Sequence, residues 1–156
     1  MRNQTKKITC IFSFILLNVF LFSTVHAKMG SIDGEKVQLR TGPGTNYAAK
    51  WQYGKGYPVK ILTTKGKWYK VKDFENDTGW VYKSLVKRTP HMIVKVNKGK
   101  NKKINIRSGP GTKYKVVGQA YYGVVFETIK QSSGWAQVKH ESGLKGWIKR
   151  SLLWGF

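Results

Sequence analysis

Cysteine is all but missing. The only one in 156 residues is Cys10, inside an apolar stretch near the start of the chain. Beyond it, disulfides, cysteine nucleophiles, zinc knuckles and iron–sulfur ligation are excluded. Histidine is scarce as well. Past the first segment only His91 and His140 remain, too few for a multi-histidine metal site. Acids are few: Asp33, Glu35, Asp73, Glu75, Asp77, Glu127 and Glu141 face 29 Lys and Arg residues, for a net charge of +22. No serine sits in a recognisable nucleophile motif. No catalytic residue, metal ligand or cofactor is therefore expected, and the chain reads as non-enzymatic. Asp73, Glu75 and Asp77 cluster, but they lack the later glutamate and the Asp-x-Asp-x-Asp-Gly context of a calcium loop. They read as a solvated loop tip.

What is present begins with a leader. Arg2, Lys6 and Lys7 precede an apolar run from Ile8 to Phe22, followed by Val25-His26-Ala27 with short residues at −3 and −1. This is the pattern of a secretory signal peptide, cut after Ala27. The apolar core of about 15 residues is short for a membrane span of about 20. The expected location is outside the cytoplasm: periplasmic, secreted or associated with the cell wall. Removal of the leader leaves +19 on 129 residues.

The remaining chain repeats itself. Lys36–Val86 aligns without a gap on Lys103–Leu153 at an offset of 67, with 16 identities in 51 positions. These include Arg40/Arg107, Gly42-Pro43-Gly44-Thr45 on Gly109-Pro110-Gly111-Thr112, Tyr47/Tyr114, Trp68/Trp135 and Gly79-Trp80/Gly146-Trp147. They are turn and core types, so one fold is expected twice, as domains over 28–88 and 89–156 after the leader at 1–27. A period of 67 is too long for a solenoid unit, and about 60 residues can fold alone.

Period-two alternation runs through both copies, as in Val37/Leu39, Val59/Ile61, Ile104/Ile106 and Phe126/Thr128. Short strands between Gly, Pro and Asn turns predict an all-β fold of two small barrels. Asp33-Gly34 predicts a hairpin joining Lys28–Ile32 to Val37–Arg40. His91–Val96 is read as the matching first strand of the second copy, with lysine-rich Lys95–Lys103 as its hairpin tip. Across Trp68–Lys72 and Gly79–Tyr82, pairing of Val71 with Val81 on the inner face puts Trp68 and Trp80 on the outer one. Val138 and Ile148 then face in, and Trp135 and Trp147 out. Trp80 and Trp147 are expected to lie under a neighbouring loop.

Leu39-Arg40-Thr41-Gly42-Pro43-Gly44-Thr45 and Ile106-Arg107-Ser108-Gly109-Pro110-Gly111-Thr112 resemble the opening of bacterial SH3 domains. Trp68-Tyr69-Lys70-Val71 with Gly79-Trp80-Val81, and Trp135-Ala136-Gln137-Val138 with Gly146-Trp147-Ile148, resemble their second half. Ser84-Leu85 and Ser151-Leu152 resemble the helical turn before the last strand. The resemblance implies two tandem SH3-like β-barrels and a binding role toward peptidoglycan or short peptides. It implies aromatic grooves of Tyr47, Trp68 and Tyr82 in the first copy, and of Tyr114, Tyr122 and Trp135 in the second. Tyr82 becomes Lys149 in the second copy, so the grooves differ. Arg40, Gly42, Pro43 and Gly44, with Arg107, Gly109, Pro110 and Gly111, are expected to be structural.

The surplus of +19 exceeds the roughly 2–8 that solubility asks of a small domain. Lysine dominates it, which favours diffuse attraction to a polyanion over bidentate recognition. The leading expectation is a monomeric exported protein that binds a cell-wall polymer or its peptides, with an anionic envelope surface as a further partner and no cytosolic nucleic acid. Three rivals stay open: a module binding a peptide of an envelope protein, a fragment of a wall hydrolase, and a binder of polyanions or membrane surfaces by charge alone.

Overall fold

The computed structural model describes residues 28–156; the expected leader, 1–27, lies outside them. Strands are the main regular structure of the described residues, with two short turns of 3-10 helix beside them. β1 (Lys28–Ile32), β2 (Val37–Arg40), β3 (Ala49–Tyr53), β4 (Pro58–Lys65), β5 (Trp68–Lys72), β6 (Thr78–Tyr82) and β7 (Val86–Lys87) form one antiparallel sheet in the order β3-β2-β6-β5-β4-β1-β7. β8 (His91–Val94), β9 (Ile104–Arg107), β10 (Val116–Ala120), β11 (Val125–Ser132), β12 (Trp135–Lys139), β13 (Lys145–Lys149) and β14 (Leu153–Gly155) form a second, in the order β10-β9-β13-β12-β11-β8-β14. Each strand of the second sheet holds the place of its counterpart seven strands earlier. One turn of 3-10 helix, Lys83–Leu85 or Arg150–Leu152, precedes the last strand of each.

Each sheet curls round its own core. Ile32, Val37, Leu39, Tyr53, Val59, Val71 and Val81 fill the first. Met92, Val94, Ile104, Ile106, Phe126, Val138, Ile148 and Leu153 dominate the second. The inward positions are the alternating apolar ones, because successive side chains of a strand point to opposite faces. The long strands β4 and β11 break register against β5 and β12 at equivalent places, between Ile61 and Thr63 and between Thr128 and Lys130. A bulge of this kind bends the strand and helps a short sheet wrap.

Glycine recurs where the barrel closes on itself. At Gly79 an added Cβ would sit 2.6 Å from Leu39 Cγ and 2.7 Å from the Arg40 carbonyl oxygen. Gly146 meets Ile106 and the Arg107 carbonyl in the same way. Neither carbonyl can move without breaking the β2–β6 or β9–β13 contact. Gly79→Ala is therefore expected to destabilise the first barrel by about 1–3 kcal/mol, the usual cost of overpacking. Urea unfolding followed by tryptophan fluorescence would measure it, and a midpoint equal to wild type would contradict it.

Three pairings differ from expectation. β1 and β2 have the expected limits but form no hairpin. The Ile32 amide donates to the Tyr57 carbonyl and the Asp33 amide to the Leu85 carbonyl, so β1 is held between β4 and β7. β8 likewise pairs with β11 and β14, and Lys95–Lys103 is a connection rather than a hairpin tip. Val71 faces Gly79 and Val81 faces Tyr69, two residues out of the expected register. Both valines still point inward, because a shift of two preserves the face. The shift sets Trp68 opposite Tyr82 and Trp80 opposite Lys70.

Candidate functional site

The first barrel carries a surface groove of about 440 Å³. Trp68 begins β5 and Tyr82 ends β6, so the cross-strand register places them side by side. Their rings meet edge to face at 5.4 Å and 83°, a favoured arrangement for aromatic pairs. They form one wall. Glu35 and Lys36 of the preceding turn, Gln38 and Arg40 of β2, and Ser84 and Leu85 of the 3-10 turn also line the groove. Lys36 has a φ of 53°, a left-handed conformation that is uncommon for a lysine.

Arg40 braces this groove. Its Nη1 donates to the carbonyls of Thr45 (3.1 Å) and Tyr47 (2.7 Å), and its Nη2 to Gln38 Oε1. The guanidinium thereby ties the Gly42-Pro43-Gly44 turn to β2. Arg107 Nη1 donates to the Tyr114 carbonyl at 2.8 Å in the second copy. The rings of Tyr47 and Tyr114 lie against Gly42 and Gly109, where a side chain would collide with them. Tyr47 thus covers the turn, and the neighbouring Thr45 lines the groove. Pro43 and Pro110 sit at the same turns, each followed by the glycine, Gly44 or Gly111, whose amide bonds back to Gly42 or Gly109.

The second barrel departs from this plan. Trp135 is half-buried and faces Lys149 instead of an aromatic. Trp147 is 8% exposed and lies under the Lys130 ammonium, 5.6 Å from its ring centroid. Trp80 is half-buried. Tyr122, expected in the second groove, lies instead at the junction of the two barrels. Its hydroxyl donates to Glu75 Oε1, and its ring meets Phe74 at 5.3 Å. Burial first and Glu75 second hold the Tyr122 phenol well above its usual range. Lys98, 2.5 Å from Glu75, and then Tyr122 hold the Glu75 carboxyl below its usual range. Phe74 also packs toward Tyr57 (6.1 Å) and Trp154 (6.5 Å), so one side chain bridges both barrels. Ile93, buried outside either core, lines the same seam.

The loop that carries Phe74 and Glu75 is not the solvated tip expected of it. Asp73 is 3% exposed. Its Oδ1 accepts the amides of Glu75 (3.0 Å) and Asp77 (2.9 Å), and its Oδ2 accepts the Tyr53 hydroxyl (3.0 Å). Burial pushes the Asp73 carboxyl up, against the downward pull of these three hydrogen bonds. The Tyr53 phenol is driven far up, by burial first and by Asp73 next. Tyr53 stacks on Tyr57 at 4.4 Å. Asp73 thus pins the Tyr53 ring, and the pair plugs the first barrel. Local sequence hid it, since the acid-rich stretch between two strands looks like any polar turn.

Two small SH3-like barrels, one with an aromatic-walled groove, define the class. The chain belongs to the bacterial SH3 domain family twice over: models of that description match residues 33–87 and 102–153. A curated relative in Bacillus subtilis (strain 168), YrvJ, provisionally named an N-acetylmuramoyl-L-alanine amidase, is 28% identical over 140 residues. The match takes in 85% of this chain and 27% of the relative, so the chain spans about a quarter of that protein's length. Among solved structures, an NlpC/P60 family protein from Bacillus cereus ATCC 10987 is similar with a TM-score of 0.38 and 14% identity, over 83% of this chain and 56% of that one. NlpC2 from Trichomonas vaginalis follows at 0.35 and 15%, over 82% and 48%. The expectation of a non-enzymatic protein does not stand: the relative matched over 85% of this chain is provisionally named an amidase.

Proposed function

We propose that the tandem bacterial SH3 domains serve at the cell wall, outside the cytoplasm, as the part that grips wall peptides in the setting of amidase chemistry. The domains span 28–88 and 89–156, behind an export leader at 1–27. The observation that carries this reading is the groove of the first barrel. Trp68 and Tyr82 offer an apolar surface, while Glu35 brings a negative charge and Lys36 and Arg40 positive ones. A wall stem peptide, with amine and carboxylate groups on small apolar residues, complements both. The amidase name of the relative supports the same setting. The net charge adds a non-specific term. Teichoic acids and other envelope polyanions attract it, and salt screens that attraction over about 8 Å at physiological strength.

The test is co-sedimentation of the protein with purified wall sacculi at low and high salt. Pelleting at low salt with a salt-resistant remainder is expected. If nothing pellets at low salt, the wall reading fails and a peptide of an envelope protein becomes the ligand to seek. If all binding vanishes at high salt, charge alone accounts for it.

A further inference from the structure

The two copies differ most sharply where the first is plugged. Offset by 67, Tyr53 becomes Ala120, Tyr57 becomes Val124 and Asp73 becomes His140. The first barrel fills this place with the Tyr53 ring and pins its hydroxyl on Asp73. In the second barrel the same place is a cavity of about 300 Å³. Phe126, larger than its counterpart Val59, and Leu144, in place of Asp77, line the cavity without closing it. Ile106 completes its apolar floor. Lys103, Tyr121 and His140 stand at its polar side, with the Lys103 ammonium 4.8 Å from the Tyr121 ring centroid. No acidic residue is among those that line it.

His140 settles the polarity of the site. The Ser142 backbone amide donates to its Nδ1 at 3.2 Å, and the Ser142 hydroxyl lies 2.8 Å from the same atom. An Nδ1 that accepts leaves the hydrogen on Nε2. Nε2 has no hydrogen-bond partner among the described residues. Asp73 in the first barrel accepts a hydrogen bond from the group that fills the space. His140, which lines the cavity at the equivalent position and also borders a depression holding Glu127 and Glu141, carries a donor, and Lys103 adds positive charge. The complementary guest has an apolar part that enters the cavity and an acceptor oxygen with negative charge.

We propose that this cavity of the second barrel is a binding site for a small organic carboxylate, separate from the Trp68 groove. Either a free acid or the carboxyl terminus of a short peptide carries that chemistry. The experiment is amide NMR titration of the protein with benzoate, benzyl alcohol, N-acetyl-D-alanyl-D-alanine and the C-terminal amide of that dipeptide. Benzoate is expected to shift Ala120, Tyr121, His140 and Ser142 about tenfold more tightly than benzyl alcohol, the value of a charged hydrogen bond. Preference for the dipeptide over its amide would mark a peptide end as the guest, and binding of benzoate alone would mark a free acid. The variant A120Y/H140D, which copies the first barrel's plug, is expected to abolish these shifts, and A120L, a smaller filler, to weaken them should the double variant not fold. Equal affinity for benzoate and benzyl alcohol, undiminished shifts in a folded filled variant, or no shift at tens of millimolar would each overturn the proposal. None of these readouts depends on Trp68, so failure here is distinct from failure of the groove.

Discussion

Replacing Asp73 by alanine is expected to melt the first barrel well before the second. The side chain accepts three hydrogen bonds, from the Tyr53 hydroxyl and the amides of Glu75 and Asp77. Truncation leaves a buried phenol without its partner, and a donor left unpaired away from water costs about 1–3 kcal/mol. The two amides of the loop lose their anchor as well, although water reaches them more easily. A loss of about 3 kcal/mol is expected, a large share of what a domain of this size holds. Asp73→Asn keeps an acceptor for the amides and should lose less. It also tests the titration. Burial raises the folded carboxyl's pKa, so this group favours the fold most below its unfolded pKa, and that advantage is lost as pH rises through the folded value. The asparagine variant should lack this downward slope in the weakly acidic range. Thermal unfolding monitored through amide signals of each barrel would separate the two domains. A D73A protein with an unshifted first transition would refute the plug.

The second large effect concerns Trp68. Trp68→Ala is expected to remove most of the salt-resistant binding to sacculi. A large aromatic at the centre of a contact commonly costs about 2 kcal/mol or more when truncated, close to thirtyfold in affinity. Tyr82→Lys, which copies Lys149 of the second barrel, should act in the same direction with less disturbance of the fold. Trp135→Ala should cost less, because Trp135 faces Lys149 and has no aromatic partner across the strand. Circular dichroism must first show that each variant is folded, since the Trp68 ring also covers part of the barrel wall. Folded variants that pellet like wild type at every salt would eliminate the groove and leave charge alone.

Much of this architecture could be read from residues. The repeat marks Gly79 and Gly146 as equivalent, and the structure shows the carbonyls that demand a missing side chain there. The alternation of Val37/Leu39 and Ile104/Ile106 gives the inner face correctly, because a strand's period is fixed by its backbone. Pairing was less legible. Asp33-Gly34 is a strong local hairpin signal, yet β1 is claimed by Tyr57 and Leu85, far along the chain. The plug was visible only as a contrast between copies: Tyr53 and Asp73 change together into Ala120 and His140. Tyr122 misled because its ring alone resembles a groove residue, while its hydroxyl answers to Glu75 in the other barrel.

Only residues 88–90 separate β7 from β8, a reach of about 10 Å at full stretch. The Phe74 ring and the Tyr122–Glu75 hydrogen bond add contacts from one barrel to the other across this short tether. The pair therefore behaves as a caliper with its jaws set. On a polymer whose ligands recur, the second contact gains from the first only where the repeat matches the gauge, since a linker that cannot span two sites lends no effective concentration. If the ligand is the wall polymer proposed above, a slack, unordered mesh and a taut, regularly cross-linked one would present the same chemical groups and bind differently.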